Sequence, residues 1–130
     1  MSLTQNELNE LRTKLQSRRT QLIEEIRSEL ERSGSEHYVD LAGQVADAGE
    51  ASVADLLVDV DTAMTDRDIR ELREIEAALA RMEDGSYGQC AECSGDIGFA
   101  RLQAYPTATR CIRCQTAYER LSSNEGRPTL

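Results

Sequence analysis

The 130-residue chain is poor in large apolar side chains and has a single histidine. It contains four tyrosines, one phenylalanine and no tryptophan. Because so few aromatic side chains cannot build a thick globular core, the composition favours long helices packed along thin aliphatic seams. The chain also lacks a run of roughly 18 apolar residues, and its polar N-terminus lacks the apolar centre of a signal peptide. We therefore expect a cytoplasmic protein without a membrane span.

Basic residues are absent from one long stretch of the chain. The formal net charge is −9, and residues 34–66 contain eight acids and no lysine or arginine. The other segments, 1–33, 67–84 and 85–130, carry balances of 0, −2 and +1. Because acidic residues repel a phosphate backbone, this distribution opposes a DNA-binding function. The acidic stretch is instead suited to contact a cation, a metal-bearing site or a basic protein surface.

The residues of a common catalytic site are also missing. His37 lies far in sequence from the cysteines, and no serine or cysteine nucleophile stands in a recognisable setting. A Ser-His-Asp triad cannot be assembled from such a set. We interpret His37 as a solvated or partly packed side chain. The many carboxylates carry no pocket signal, so we expect a protein that is not an enzyme.

Four paired cysteines occupy the last third of the chain. They are arranged as Cys90-x2-Cys93 and Cys111-x2-Cys114, with 17 residues between the pairs. This spacing is typical of a zinc site in which four thiolates close the tetrahedron and leave no position for a catalytic water. The quartet predicts one structural Zn²⁺ ion. Two alternatives stay open: a redox sensor that ejects zinc, and a pair of disulfides in an exported protein.

The first long helix is predicted over residues 3–32. Thr4 and Glu7 have the spacing of a capping box at its start. Its apolar seam recurs at intervals of three, four and their sums. The seam consists of Leu8, Leu11, Leu15, Leu22, Ile26 and Leu30.

The second long helix is predicted over residues 52–84. Ser52 can cap its start, and Gly85 stands where a C-cap glycine belongs. The apolar phase slips between Met64 and Leu72, which indicates local unwinding or a change of neighbour. The seam consists of Val53, Leu57, Val60, Met64, Leu72, Ile75, Leu79 and Met82.

Together these segments predict an all-α protein. Residues 1–84 form an antiparallel two-helix coiled-coil hairpin, a rod roughly 45–50 Å long, with an acidic tip near 34–66. A small C-terminal C4 zinc-finger globule with a terminal helix follows over 85–121, and 122–130 are expected to be a disordered tail. An acidic run is usually a solvated face, but at the end of a rod it reaches a partner first. The acids of this tip are Asp40, Asp47, Glu50, Asp55, Asp59 and Asp61.

The zinc module contains a distinctive set of short strings around its cysteines. They are Gly85-Ser-Tyr87-Gly88-x-Cys90-x-x-Cys93, Ile97-Gly98, Arg101-Leu102-x-Ala104-x-Pro106-Thr-Ala108 and Cys111-x-x-Cys114. With these strings the sequence resembles the DksA/TraR C4-type zinc-finger family. The resemblance spans most of residues 5–121, and its specific motifs lie within 85–114. It implies a hairpin that enters the secondary channel of bacterial RNA polymerase, where an acidic tip near the active-site magnesium alters initiation without sequence-specific DNA contact.

The resemblance also implies which residues form the partner-binding tip. The family motif Asp-x-x-Asp-x-Ala, aligned without gaps backwards from Cys90, falls on Asp47-Ala-Gly-Glu50-Ala-Ser52. Asp47 is kept, the second acid is lengthened to Glu50, and Ser52 replaces alanine. We predict that Asp47 and Glu50 are the functional acids, supported by Ser52 and Asp55.

Two further departures from the family affect what the resemblance implies. Ser94 replaces the glycine that usually follows the second cysteine, which zinc binding should tolerate because all four ligands remain. Glu74, Tyr105 and Gln115 stand where alarmone-responsive members carry basic residues. These three side chains offer no positive charge to guanosine tetraphosphate, so we expect weak or absent alarmone coupling. Arg101 is either a structural residue or a contact at the channel rim.

The resemblance and the charge distribution together predict a monomeric, bacterial, RNA-polymerase-binding transcription regulator. The first alternative is a zinc-stabilised coiled-coil adaptor that does not act on polymerase. A DNA-binding zinc finger is the second, and the charge of −9 and the lack of a basic recognition helix oppose it.

Overall fold

Helices form most of the computed structural model, which describes residues 3–58, 60 and 63–126, with the backbone alone for 63–65 and 123–126. Within these residues one antiparallel bridge joins Gln89 to Asp96 and there is no β-strand. None of the described helices is long and apolar enough to cross a bilayer. The predicted all-α class is confirmed. The helices are α1 (Gln5–Arg32), α2 (Glu36–Asp47), α3 (Val53–Leu56), α4 (Ala63–Asp84), α5 (Phe99–Ala104) and α6 (Ile112–Gly126).

Helix α1 begins and ends at local signals in the sequence. The Thr4 hydroxyl accepts a hydrogen bond from the Glu7 amide at 3.1 Å, and the Glu7 carboxylate accepts one from the Thr4 amide at 2.9 Å. This capping box confirms the predicted start. Gly34, with a φ of +74°, follows the C-cap residue Ser33. A left-handed residue at this position ends a helix, so the chain turns there.

Helices α1 and α4 form the antiparallel pair of the hairpin. Their ends meet near the zinc module, where a Cβ on Gly88 would lie 3.2 Å from Leu3 Cδ1. Farther along the pair, Arg18 bonds both carboxylate oxygens of Glu71, at 2.7 and 3.0 Å. The side chain of Met64, a predicted seam residue, lies outside the described part. Buried seam residues of the pair are Leu11, Leu15, Leu22, Ile26, Ile69, Leu72, Ile75, Ala78 and Met82.

Helix α2 doubles back along the distal half of α1. Leu41, Ala42 and Val45 on α2 are buried in the same apolar cluster as the α1 seam. Just beyond α2, the Ala51 carbonyl accepts a hydrogen bond from Arg19 at 3.1 Å. Twelve residues of α2 rise about 18 Å, and Arg19 lies about 20 Å before the end of α1. The chain therefore returns to the middle of α1, and the distal end of the rod is the turn at 33–35.

The predicted continuous helix over 52–84 is interrupted in the structure. Helix α3 ends at Leu56 and α4 begins only at Ala63. The break precedes the predicted phase slip and falls in a Val-Asp-Val-Asp-Thr run, whose β-branched and aspartate residues have low helix propensity. Two predicted tip acids, Asp59 and Asp61, lie outside the described residues.

The C-terminal module is joined to α4 by a glycine turn. Gly85 has a φ of +85°, and the Ser86 amide donates to the Arg81 carbonyl at 3.0 Å, so the predicted C-cap is confirmed. Leu102 of α5 is fully buried in the common core. Lys14 of α1 donates to the carbonyl of Gln103 at 2.6 Å, which fastens the module to the hairpin. Helix α6 continues to Gly126, past its predicted end at residue 121 and into the predicted tail, and residues 127–130 lie outside the described part.

Candidate metal centre and acidic segment

The four cysteines converge on one point in the structure. All four Sγ atoms lie within 4.8 Å of one another, and Cys93 Sγ and Cys111 Sγ are 3.9 Å apart. A tetrahedral site with Zn–S bonds of about 2.3 Å has S···S edges of about 3.8 Å. The sulfur donors therefore have the spacing and the chemistry of a closed four-thiolate zinc site.

Backbone hydrogen bonds shape the first pair of ligands into a tight loop. The Cys90 amide donates to the Gly95 carbonyl at 2.7 Å, and the Ser94 amide donates back to the Cys90 carbonyl at 3.0 Å. Ser94 has a φ of +63°, the left-handed conformation that favours glycine. The second pair is presented differently, because Cys111 immediately precedes α6 and Cys114 lies in its first turn.

The clustered thiols differ in their acidity. Hydrogen bonds from the backbone amides of Cys93 and Cys111 hold the pKa of Cys90 at about 6. The amide of Cys114 likewise lowers the pKa of Cys111. The hydrogen bond between the Cys114 and Cys111 side chains raises the pKa of Cys114 to about 12. Four adjacent thiols thus oppose complete ionisation, and a divalent cation supplies the charge that permits it.

Two arginines stabilise the loops around the cysteines. Arg110 pairs with Glu92 at 3.3 Å, and its guanidinium lies 4.1 Å from the centre of the Tyr118 ring. These contacts join the first cysteine loop to α6. Arg101 donates to the Arg110 carbonyl at 2.9 Å and stacks against Tyr105. The position of Arg101 supports the structural interpretation of this residue.

The predicted tip residues lie in the segment that returns to the middle of α1. Asp47 ends α2, Glu50 lies in the following turn, and Asp55 lies within α3; all three side chains are exposed. Ser52 is half-buried and caps α3 by accepting from the Asp55 amide at 3.1 Å. We call residues 47–55 the acidic segment. In this structure α2 folds back, so the acidic segment lies beside the middle of α1, and its role as the working tip of the rod stays a prediction.

An ion pair between α1 and α4 holds the acidic segment in place. Arg19 and Glu76 are 3.1 Å apart, and Arg19 also donates to the Gly49 carbonyl at 3.4 Å. The Glu76 carboxylate accepts from the Ser52 hydroxyl at 2.8 Å and from the Val53 amide at 2.9 Å. The sequence analysis did not single out Arg19 or Glu76, because in sequence each looks like an ordinary charged residue on the solvent-exposed face of a helix.

Comparisons with known proteins agree with this architecture. The model of the prokaryotic dksA/traR C4-type zinc finger matches residues 85–120. The RNA polymerase-binding transcription factor DksA of Caulobacter vibrioides is 40% identical over 86 residues, which are 66% of this chain and 56% of that protein. The protein of the same name from Escherichia coli K12 is 32% identical over 95 residues, which are 73% and 62% of the two chains. The chain belongs to the DksA/TraR C4-type zinc-finger family.

Similarity to this family extends beyond the zinc module. The structure of transcription factor DksA2 from Pseudomonas aeruginosa matches with a TM-score of 0.61 and 29% identity, covering 92% of this chain and 88% of that one. The chain spans less than two thirds of the length of the curated DksA relatives named above. As in the C4 family, Cys90, Cys93, Cys111 and Cys114 hold one structural zinc ion.

The three positions where the resemblance places basic residues of alarmone-responsive members are occupied here by side chains that are not basic. Glu74 is exposed on α4 and Tyr105 is half-exposed beside Arg101. Gln115 donates to Glu119 on the next turn of α6 at 3.1 Å. Their side chains supply one negative charge and no positive one.

Proposed function

We propose that this protein is a bacterial transcription regulator that binds RNA polymerase and modulates initiation. The observation that carries the proposal is the joining of the family's zinc module to a helical hairpin, in an arrangement similar to DksA2 over 92% of the chain. The names of the curated relatives state polymerase binding for those proteins. A protein with this role works in the bacterial cytoplasm, where transcription takes place.

The finer proposal is that the hairpin enters the secondary channel and that the acidic segment acts near the catalytic centre. The charge distribution supports it, since residues 34–66 carry a balance of −8 and the zinc end is close to neutral. Asp47 and Glu50 are exposed on the surface of the acidic segment and are free to meet a cation or a basic surface. The zinc ion, held by four thiolates, positions the base of the hairpin.

The test measures binding and regulation separately with purified bacterial polymerase. Competition against a known secondary-channel binder should displace that binder. The double variant Asp47→Asn with Glu50→Gln should keep polymerase affinity within about twofold, because two nearly isosteric changes at exposed positions leave the zinc module and the rest of the hairpin surface intact. It should nevertheless lose the effect on initiation. A double variant that regulates as wild type does would refute the role of these acids.

A matched control uses two different exposed acids, both of which lie on α2. Glu36→Gln with Asp40→Asn removes the same charge near the rod end and leaves the acidic segment intact. We expect this control to regulate as wild type does. Loss of regulation in both double variants would mean that total charge matters, and that no particular pair of acids does.

The alarmone expectation has its own assay. Transcription from a ribosomal promoter is measured with polymerase and this protein, with and without guanosine tetraphosphate. Because Glu74, Tyr105 and Gln115 bring no positive charge, we expect little synergy. Strong synergy would contradict this expectation while leaving polymerase binding unaffected.

The adaptor alternative predicts a different set of bound proteins. A pull-down from bacterial lysate should be dominated by the β and β′ subunits of polymerase if the proposal is correct. Other proteins without these subunits would favour the adaptor. Light scattering of the purified protein tests the predicted monomer.

A further inference from the structure

Five hydrogen bonds join residues 49–54 to a single ion pair, Arg19–Glu76. The Arg19 guanidinium donates to two backbone carbonyls of this stretch, and the Glu76 carboxylate accepts from one hydroxyl and two backbone amides. No other ion pair in the described part of the chain contacts these residues. The contacts are Gly49 O at 3.4 Å, Ala51 O at 3.1 Å, Ser52 Oγ at 2.8 Å, Val53 N at 2.9 Å and Ala54 N at 3.3 Å.

This pair is more enclosed than its neighbour between the same two helices. The Arg19 and Glu76 side chains are 17% and 16% exposed, whereas those of Arg18 and Glu71 are 40% and 37% exposed. Removing one member of an enclosed pair leaves the other charge without compensation, and the backbone groups it bonded lose their partner. The chain thus offers two Arg–Glu pairs between the same helices that differ in enclosure and in their contact with the acidic segment.

Electrostatics at the end of α2 explains why the segment needs a cation from elsewhere. The last turn of α2 has no basic residue and ends with Asp47, which faces the negative end of the helix dipole. Arg19 brings a positive charge to the carbonyls immediately beyond this end. The cation therefore offsets an unfavourable helix terminus in the folded-back arrangement.

The turn between α1 and α2 can act as a hinge. Only residues 33–35 separate the two helices, and Gly34 has a φ of +74° with open space around its α-carbon. If these three residues became helical, α1 and α2 would form one helix over 5–47. Its length would be about 64 Å, compared with about 42 Å for α1 alone.

We propose that Arg19 and Glu76 form a latch that keeps the acidic segment folded against the middle of the hairpin, and that opening the latch swings α2 out to lengthen the rod. Leu41, Ala42 and Val45 are buried against α1 in the closed arrangement, so the closed form dominates in the free protein. The open form projects Asp47 and Glu50 beyond the turn at 33–35.

The regulatory consequence rests on the proposed function. If the open form is the one that acts in the polymerase channel, Arg19→Ala should regulate initiation at a lower protein concentration than wild type. Failure of every variant to bind polymerase would refute the proposed function alone. Whether the latch exists is tested separately, by a distance measurement on the protein without polymerase.

That measurement is pulsed electron paramagnetic resonance on the full-length, zinc-loaded protein. Spin labels on non-canonical amino acids replace Ser17 and Gln44, which are exposed on α1 and α2. Wild type should give mainly a short distance, with a small long-distance population. In Arg19→Ala this second population, with a label-to-label distance of about 40 Å, should increase. The ratio of the long-distance population to the short-distance population should be at least about tenfold higher than in wild type. Arg18→Ala, which breaks the neighbouring pair, should leave the distribution unchanged.

Glu76→Gln keeps the size of the side chain and one oxygen acceptor, and it should raise the long-distance population less than Arg19→Ala does. If Arg19→Ala loses zinc or helix content, Glu76→Gln takes its place as the deciding variant. An unchanged distribution in the deciding variant would overturn the latch. An equal shift in Arg18→Ala would also overturn it, because any weakening of the α1–α4 pair would then suffice.

Discussion

The zinc module and the acidic segment are held in place by opposite means. The module is organised around four ligands that occur as two short pairs, and their sulfurs meet within 4.8 Å. The acidic segment is held by the buried side chain of Val53 and by Arg19 and Glu76, which are 57 residues apart and belong to different helices. In a small module, metal–ligand bonds supply the stability that a larger domain obtains from its hydrophobic core. An ion pair, in contrast, is removed by a single substitution. We therefore expect a rigid module and a releasable segment.

The largest expected effect is loss of the metal. Cys90→Ser removes a buried ligand, and structural zinc contributes an apparent free energy of about 10–16 kcal/mol near neutral pH. The module should lose its amide dispersion in NMR spectra and its stoichiometric zinc. The α1–α4 pair should stay helical, because its core of Leu11, Leu15, Leu72 and Ile75 does not involve the metal.

Zinc extraction from wild type by a chelator, followed by reloading, serves as the control for this prediction. Reloading should restore the spectrum of the module. If metal removal melted the whole chain in one transition, the module and the hairpin would be one cooperative unit and the contrast between them would fail.

The second prediction tests whether α2 opens independently. Leu41→Ala removes a buried side chain on α2 and should cost about 2–5 kcal/mol of local stability. Native-state hydrogen exchange should speed up over residues 36–47 while amides of α4 keep their protection. Leu72→Ala, at the centre of the α1–α4 pair, is the matched comparison and should destabilise the whole hairpin. Equal acceleration in both helices after Leu41→Ala would show that α2 is not a separate unit.

A smaller gain in stability is expected inside the zinc module. Ser94 has a φ of +63°, where a side chain costs about 1 kcal/mol and glycine does not. Ser94→Gly should therefore tighten zinc binding by about 2–5-fold in a competition assay, allowing for the extra freedom of glycine in the unfolded chain. Ser94→Ala keeps the backbone strain and should show no gain. A tighter site in both variants would point to the hydroxyl and away from the backbone.

The smallest effect concerns the exposed pair between α1 and α4. The hydrogen bond from Arg18 lowers the pKa of Glu71, so the ionised carboxylate is favoured in the folded state. Its stabilisation is present above the unfolded pKa of about 4.3 and is lost as the pH falls through the lower folded value. Solvent screening limits the contribution to about 0.2–1 kcal/mol.

Chemical unfolding of wild type and Arg18→Ala at matched pH measures this contribution. The difference in unfolding free energy should be largest near pH 7 and should shrink as the pH falls below about 4.3. Because both proteins carry the same zinc site, its own acid sensitivity cancels in the comparison. A difference that does not vary with pH would assign the effect of Arg18 to packing.

Local patterns predicted the parts of this protein whose contacts are close in sequence. The CxxC spacing identified the zinc ligands, and the four-residue capping box placed the start of α1. Gly85 marked the end of α4 for the same reason, since a C-cap depends on its neighbours alone. The interruption between Leu56 and Ala63 was missed because the apolar seam continues across it. Seam periodicity reports which residues are buried and does not show whether the backbone between them stays helical.

The sequence by itself determined the helical class, the metal site and the family, because short-range spacing encodes each of them. Only the tertiary structure decided where the acidic residues lie. No residue near Asp47 or Glu50 in the sequence indicates that α2 folds back along α1. The folded-back arrangement depends on the burial of Leu41 and Val45 and on the distant Arg19–Glu76 pair. Arg19 and Glu76 have no local signature, because an ion pair is defined by a distance that only the packed helices create.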